Sequence, residues 1–170
     1  MLIQLDTYLF RWLFGLAEKH REMAAAAVWI TNTSSRIFHV TYAVFILWQL
    51  LGGDRRIVPS ILGPASAYIA ARALRLISNK DRPYVALEIE SRISHDEDSS
   101  FPSMHSTSAF VIATSIWYVN PAVGIAAVFL AAITGLSRVM VGVHYPVDIA
   151  VGMALGVSMS IAAFTYAPLL

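Results

Sequence analysis

Phe101-Pro-Ser-Met-His105 is the stretch where a polar, acidic loop gives way to an apolar helix. Ser103 stands at the N-cap position, Pro102 precedes it and His105 falls in the first turn. Such a junction exposes unsatisfied backbone N–H groups at the positive end of a helix dipole, so it is a natural place for an anion. The helix it opens is predicted over Ser106–Val119 and is ended by Asn120-Pro121. A second apolar helix is predicted over Ala122–Val141. His144-Tyr-Pro146 then starts a last one, running to about Tyr166, with Pro146 suited to a first helical turn. Gly152 and Gly156 sit four apart in that helix, a spacing that lets a neighbouring helix approach closely.

Upstream of the junction, residues 78–102 are polar, and Pro83 restrains Arg82 from helix, so the preceding helix is expected to end near there. That helix is predicted over Ile57–Ile77, with Pro59 near its start and Pro64 as a candidate kink, which membrane helices tolerate. Gly52-Gly-Asp-Arg-Arg56 is a break. Ile37–Leu51 reads as a transmembrane helix, Thr31-Asn-Thr-Ser-Ser35 as a turn, and Met23–Ile30 as a short or tilted span. Residues 2–18 place Gln4, Thr7, Arg11 and Glu18 on one face of an otherwise apolar helix. This pattern suits either a helix in the membrane interface or one packed on the bundle. Asp6 and Arg11 within this run, and the lack of a basic start, argue against a cleaved leader.

Hydrophobic residues make up 57% of the 170 residues and charged residues 14%, with mean hydropathy +0.62. A water-soluble chain of this size needs more polar surface, so the expected fold is an all-α, polytopic membrane helix bundle of about six helices, forming one domain over residues 1–170. A net charge of +1 argues against a nucleic-acid-binding face. With no cysteine there is no disulfide, thiolate nucleophile or cysteine metal site.

Counting helices brings three polar clusters to one membrane boundary: Arg75 with Arg82, Ser103 with His105, and Ser137, Arg138, His144 and Asp148. Arg55 and Arg56, in the short loop at the other boundary, favour the cytoplasm by the positive-inside rule, which puts the clusters outside. Arg75 and Arg82 are seven apart, about two helical turns, and so are expected to share a face and to grip phosphate oxygens by forked hydrogen bonds. The competing role is snorkelling to the interface, which also suits Arg72 and Lys80. Ser103 and His105 suit a phosphate ligand and a general acid, or a plain cap and an interfacial histidine. In His144 and Asp148, four apart, the carboxylate can accept the ring N–H and leave the other nitrogen to attack; the alternative is an ordinary helix pair. His39 is expected to pack within its helix with a hydrogen-bonded partner, and His20 and His95 to be solvated. No HxxxH or HExxH spacing supports a metal site.

Arg75-x6-Arg82-Pro83, then Pro102-Ser-Met-His105, then Ser137-Arg138-x5-His144-x3-Asp148 resembles the three-part signature of the type 2 phosphatidic acid phosphatase superfamily. The helix count resembles its membrane-bound branch. Arg82-Pro-Tyr-Val and Asp98-Ser-Ser-Phe-Pro-Ser look most like the bacterial undecaprenyl pyrophosphate phosphatases associated with bacitracin resistance. The resemblance implies a lipid phosphatase of the bacterial cytoplasmic membrane, active on its outer side and needing no metal or other cofactor, with undecaprenyl pyrophosphate as substrate. It implies His144 as nucleophile, Asp148 as its orienting carboxylate and His105 as general acid, then base. Arg75, Arg82, Ser103, Arg138 and the backbone near Met104 are implied as phosphate ligands. The family usually has lysine where Arg75 stands and glycine where Met104 stands. Phosphatidylglycerol phosphate, phosphatidic acid and lipid A phosphate are alternative substrates served by the same residues. A non-catalytic protein holding an anionic headgroup is the reading from another class, and a soluble phosphatase or haloperoxidase relative is disfavoured by the apolar runs. Oligomeric state is not encoded in any of these motifs.

Overall fold

Sixteen residues, Met104–Val119, form the helix at the centre of the architecture. It buries side chains on nearly every face, from Ser106 and Thr107 through Ala109–Ala113 to Ser115 and Ile116, as expected of a helix surrounded by others. The computed structural model describes residues 2–94 and 99–167, so the readings of His95 and Asp98 lie outside the described residues. Within these, the elements are α1 (Leu2–Lys19), α2 (Arg21–Gly52), α3 (Ile57–Ile77), α4 (Pro83–Ala86), α5 (Met104–Val119), α6 (Pro121–Met140) and α7 (Pro146–Tyr166). The described residues contain no strand, and the fold is the expected helix bundle. Three helices, α3, α6 and α7, are long and apolar enough to cross a membrane by length and composition. Their outward faces carry Leu62, Ile69, Phe129, Ile133 and Ile161, side chains suited to lipid.

Alternation of small and large residues sets the packing around α5. An added Cβ at Gly152 would meet the Ser103 carbonyl oxygen at 2.7 Å, and one at Gly156 would meet the Thr107 carbonyl oxygen at 2.6 Å. The glycine pair therefore is the surface on which α7 lies against α5, as its spacing predicts. Gly124 does the same for the α5–α6 hairpin, where a Cβ would come within 2.3 Å of the Trp117 Cα. Phe38 and Phe45 of α2, Ala67 of α3 and Ala131 of α6 close the core over Phe110–Ile116.

Two sequence expectations are overturned. Met23–Leu51 was expected as two segments joined by a turn at Thr31–Ser35, but α2 is one helix of 32 residues, about 48 Å long at ~1.5 Å per residue. The polar tract is a contact stripe rather than a turn. Thr31 and Ser34 are buried, Thr31 Oγ1 lies 2.8 Å from Ser137 Oγ of α6, and Thr33 Oγ1 donates to the Trp29 carbonyl at 2.7 Å. Hydroxyls bonded to a facing helix or to their own preceding turn leave the backbone ladder intact. The other correction concerns Arg82. α3 ends at Ile77, well before Pro83, so Arg75 and Arg82 do not share a helix face; Arg82 is the residue preceding α4. Pro64 lies within a continuous α3.

α1 packs on the bundle through Phe10, Phe14 and Ala17, the i, i+4, i+7 stripe, against Val139, Met140, Val141 and Tyr145. Ile3, Leu5, Tyr8 and Trp12 are exposed on its other sides, alongside Gln4, Arg11 and Glu18. An apolar face rimmed by polar groups is what an interfacial helix presents to headgroups.

Candidate active site

One end of the bundle holds the buried polar residues that the sequence singles out. Arg82 and His144 are each 1% exposed, Arg138 3%, and Ser103 and Asp148 0%. Charged groups removed from water are tolerated only where partners compensate them, and here the partners come from chain segments far apart in sequence.

The frame is made of backbone bonds. Ser103 caps α5, accepting from the Ser106 amide at 3.4 Å, and its own N–H donates to the Asp148 carbonyl oxygen at 3.1 Å. This bond fastens the start of α5 to the start of α7. The turn between α6 and α7 is equally short. Val141 N–H donates to the Ser137 carbonyl at 3.0 Å and Val143 N–H to the Arg138 carbonyl at 3.2 Å. Gly142 takes a positive φ of 90° in this turn, with the Phe14 ring where a side chain would go. Arg138 and His144 are thus held on either side of one tight reversal.

Arg82 reaches this reversal from the α3–α4 loop. Its Nη1 donates to the Val143 carbonyl at 3.0 Å and lies 3.5 Å from His144 Nε2. A guanidinium carries donors only, so this approach suits Nε2 in its unprotonated, lone-pair form. The other ring nitrogen, Nδ1, lies 3.6 Å from Asp148 Oδ2. That separation is an ion-pair distance, longer than the hydrogen bond expected from the sequence. The carboxylate is engaged elsewhere: Oδ2 accepts from the Tyr145 N–H at 2.9 Å, and Oδ1 accepts from Lys80 Nζ at 2.8 Å. Burial first, then the negative charges of Asp148, Asp6 and Asp81, push the Tyr145 hydroxyl above its ordinary pKa, so the ring beside this cluster stays neutral.

Three guanidiniums come within electrostatic range of one another, by a route the sequence did not foresee. Arg138 lies within Coulombic reach of both Arg82 and Arg75. Arg75, in the last turn of α3, directs Nε and Nη2 to the Ser99 carbonyl, with Nε at 2.8 Å. Here the fork that replaces the family's usual lysine holds the loop leading into Ser103. Ser78, Asn79, Lys80, Asp81, Arg82, Val85 and Ser99 line an adjoining cavity of about 340 Å³. Like charges gathered in this way repel unless an anion joins them, so the cluster is chemically suited to an anion such as a phosphoryl group.

His105 lies in the first turn of α5, half-buried, and lines a groove of about 250 Å³ that also includes Ser35, Phe38, His39, Tyr68 and Met104. Met104, which stands where the family usually has glycine, therefore forms part of this groove's wall. His39 departs from expectation: it is exposed on the groove rather than packed with a hydrogen-bonded partner. His20 is exposed, as expected, and so is Arg72. Among the described residues, no group of three or more His, Asp or Glu is arranged to hold a metal ion. The sequence suits Lys80 to an interfacial cation; the structure places it on Asp148. The signal available was its position between Arg75 and Arg82, which predicts proximity but not orientation.

Both the chain and its arrangement of helices have relatives. The PAP2 superfamily model matches residues 56–169, and the chain belongs to that superfamily. Undecaprenyl-diphosphatase BcrC of Bacillus subtilis (strain 168) is 29% identical over 95% of this chain and 84% of its own. LpxE of Aquifex aeolicus has a similar fold, with TM-score 0.81 at 23% identity, covering 95% of this chain and 96% of that one. A transmembrane PAP2-type phosphatidylglycerolphosphate phosphatase from Bacillus subtilis is similar in fold, with TM-score 0.62 at 21% identity, covering 97% of this chain and 95% of that one. The protein is a membrane-embedded phosphatase of the lipid-acting kind.

Proposed function

We propose that the chain hydrolyses undecaprenyl pyrophosphate to undecaprenyl phosphate and inorganic phosphate through a phosphohistidine intermediate. The observation that carries the mechanism is the buried His144 ring, set between a guanidinium at Nε2 and a carboxylate on the Nδ1 side. With Nε2 in the lone-pair form that the guanidinium favours, the ring aims that nitrogen at the arginine cluster where a phosphoryl group would sit. The substrate assignment is supported by the undecaprenyl-diphosphatase relative, which matches nearly the whole chain.

In this reading His144 Nε2 attacks the terminal phosphorus, and the bond from phosphorus to the bridging oxygen breaks. His105 gives its proton to that oxygen, so undecaprenyl phosphate leaves on the side of the groove. His105, now neutral, takes a proton from water; the hydroxide attacks phosphohistidine, releasing phosphate and His144. Asp148 opposes the positive charge that develops on the phosphorylated ring. Arg75, Arg82, Arg138, Ser103 and the Met104 amide hold the phosphoryl oxygens as charge builds on them. The chemistry needs no metal or other cofactor.

Residues 1–170 act in this proposal as one membrane-embedded domain whose partners are the bilayer and its lipid phosphate. The membrane is the bacterial cytoplasmic membrane, with the site on its outer side. Two observations support that side. Arg55 and Arg56 lie in the α2–α3 turn, and Arg56 Nη1 reaches the Val119 carbonyl at 3.4 Å, so both the α2–α3 and α5–α6 turns are at the end away from the site.

Phosphate release from purified undecaprenyl pyrophosphate, phosphatidylglycerol phosphate, phosphatidic acid and lipid A, in EDTA, tests the reading. The prenyl diphosphate should give the highest kcat/KM. A preference for phosphatidylglycerol phosphate, the substrate after which one structural neighbour is named, would replace the substrate and keep the mechanism. No hydrolysis of any lipid would leave an anion-binding protein instead.

A further inference from the structure

Asp148 is a fully buried carboxylate, and the ring it serves is not its nearest partner. Lys80 Nζ lies 2.8 Å from Asp148 Oδ1 and 3.3 Å from Asp6 Oδ2, and it sits 4.4 Å above the Tyr145 ring centroid. Asp6 Oδ1 in turn accepts from the Val147 N–H at 2.9 Å, in the first turn of α7. The Lys80 backbone is pinned as well, its carbonyl accepting from the Ser100 N–H at 2.9 Å. An acidic residue inside the apolar run of α1 and a cation that suited the interface therefore meet behind the His144–Asp148 pair.

We infer that Lys80 is a positioning residue for the reaction, held in place by Asp6 of α1, and that the two together aim the Asp148 carboxylate at His144. Lys80 compensates the buried charge and fixes Oδ1. With Oδ2 also tied to the Tyr145 amide, the carboxylate cannot rotate away from Nδ1. Asp6 joins the N-terminus of α7 to Lys80, so docking of α1 sets the geometry of a site it does not line. The groups that face this cluster are Lys80, Asp81 and Ser100 from the loop, Asp6 and Arg11 from α1, and His144 and Tyr145 from the α6–α7 turn.

The inference rests on the phosphohistidine reading, and the two fail differently. Turnover in His144→Ala would sink that reading. A dead His144→Ala beside a fully active Lys80→Met would sink only this one. The test uses the full chain in detergent with the lipid phosphate that the wild type hydrolyses fastest, and a thermal midpoint for each variant. Lys80→Met should lower kcat about 10- to 100-fold, the scale known for groups that orient metal-bound imidazoles, with KM unchanged. Lys80→Arg should recover most of it. Asp6→Asn should lower kcat by a smaller factor, and the double variant Asp6→Asn/Lys80→Met should be no slower than Lys80→Met alone, because both act through one carboxylate. A raised KM at unchanged kcat in Lys80→Met would make Lys80 a phosphate ligand and overturn the inference. So would wild-type constants in that variant, or Lys80→Arg as slow as Lys80→Met. Should Lys80→Met show no folding transition, Asp6→Asn decides: wild-type kcat there overturns the proposal, and a reduced kcat at wild-type KM upholds it.

Discussion

The two ends of this bundle are built from the same apolar helices and treat charge in opposite ways. At the α2–α3 turn, Arg56 pairs with Asp54 at 2.7 Å across two residues, and its side chain is 49% exposed. Below that turn the polar groups drawn inside the core are neutral: Gln49 Nε2 and Ser60 Oγ at 3.1 Å, with the Tyr42 hydroxyl on the Ser60 carbonyl. At the other end, Arg82, Arg138, His144 and Asp148 are all withdrawn from water, and Arg82 and Asp148 take partners dozens of residues away. Exposed local pairs contribute little and ask little of the fold. Buried distant ones demand a scaffold that holds them, and a chain retains such an arrangement where chemistry requires it.

Substitutions at the two ends should separate accordingly. His144→Ala should reduce turnover by about 10⁴-fold or more, the scale seen when a nucleophile is removed, while the protein still inserts and melts cooperatively; phosphate release and a thermal scan on the same sample check this. A labelled phosphoenzyme that accumulates in His105→Ala, and is absent in His144→Ala, would sharpen the division of roles. Arg82→Ala should lower kcat about 10²- to 10³-fold, the effect of losing one preorganised donor to a developing oxyanion. Equal losses in Arg55→Ala, at the far end, would break the comparison.

Smaller effects belong to packing and to the quiet end. Gln49→Ala should destabilise by about 1–3 kcal/mol by stranding the buried Ser60 hydroxyl, with kcat unchanged; a lowered thermal midpoint with reduced kcat would show that the ends are coupled. The smallest effect concerns pH. Hydrogen bonds from the Arg56 side chain, then its backbone N–H, hold the Asp54 carboxyl below its ordinary pKa. A depressed carboxyl contributes stability above its unfolded pKa and loses it as pH falls through the folded one. The thermal midpoint of the wild type should therefore fall slightly in acid relative to Asp54→Asn, and parallel curves for the two would remove Asp54 from the account.

Helix positions were largely legible in the chain, because apolar length, Asn120-Pro121, Gly52-Gly53 and Pro146 act locally. α3 spans the residues expected, and α6 and α7 agree within a residue or so. The stretch at Thr31–Ser35 was misread for the same reason: five polar residues look like a turn until a facing helix supplies Ser137 as a partner. The site behaves likewise. Ser103, His105, Arg138, His144 and Asp148 could be picked out as candidates because their residue types and spacing form a motif, and motif spacing survives in one dimension. Lys80 and Asp6 could not, since 68 residues separate Lys80 from Asp148 and 74 separate it from Asp6.

What the sequence alone determined is a membrane bundle with its three motif clusters gathered at one boundary, because hydropathy and helix length are sums over neighbours along the chain. Only the tertiary structure decided which of those groups touch. Orientation of a buried charge depends on partners brought in by folding, and here it set the His144 ring between Arg82 and a carboxylate that Lys80 already holds.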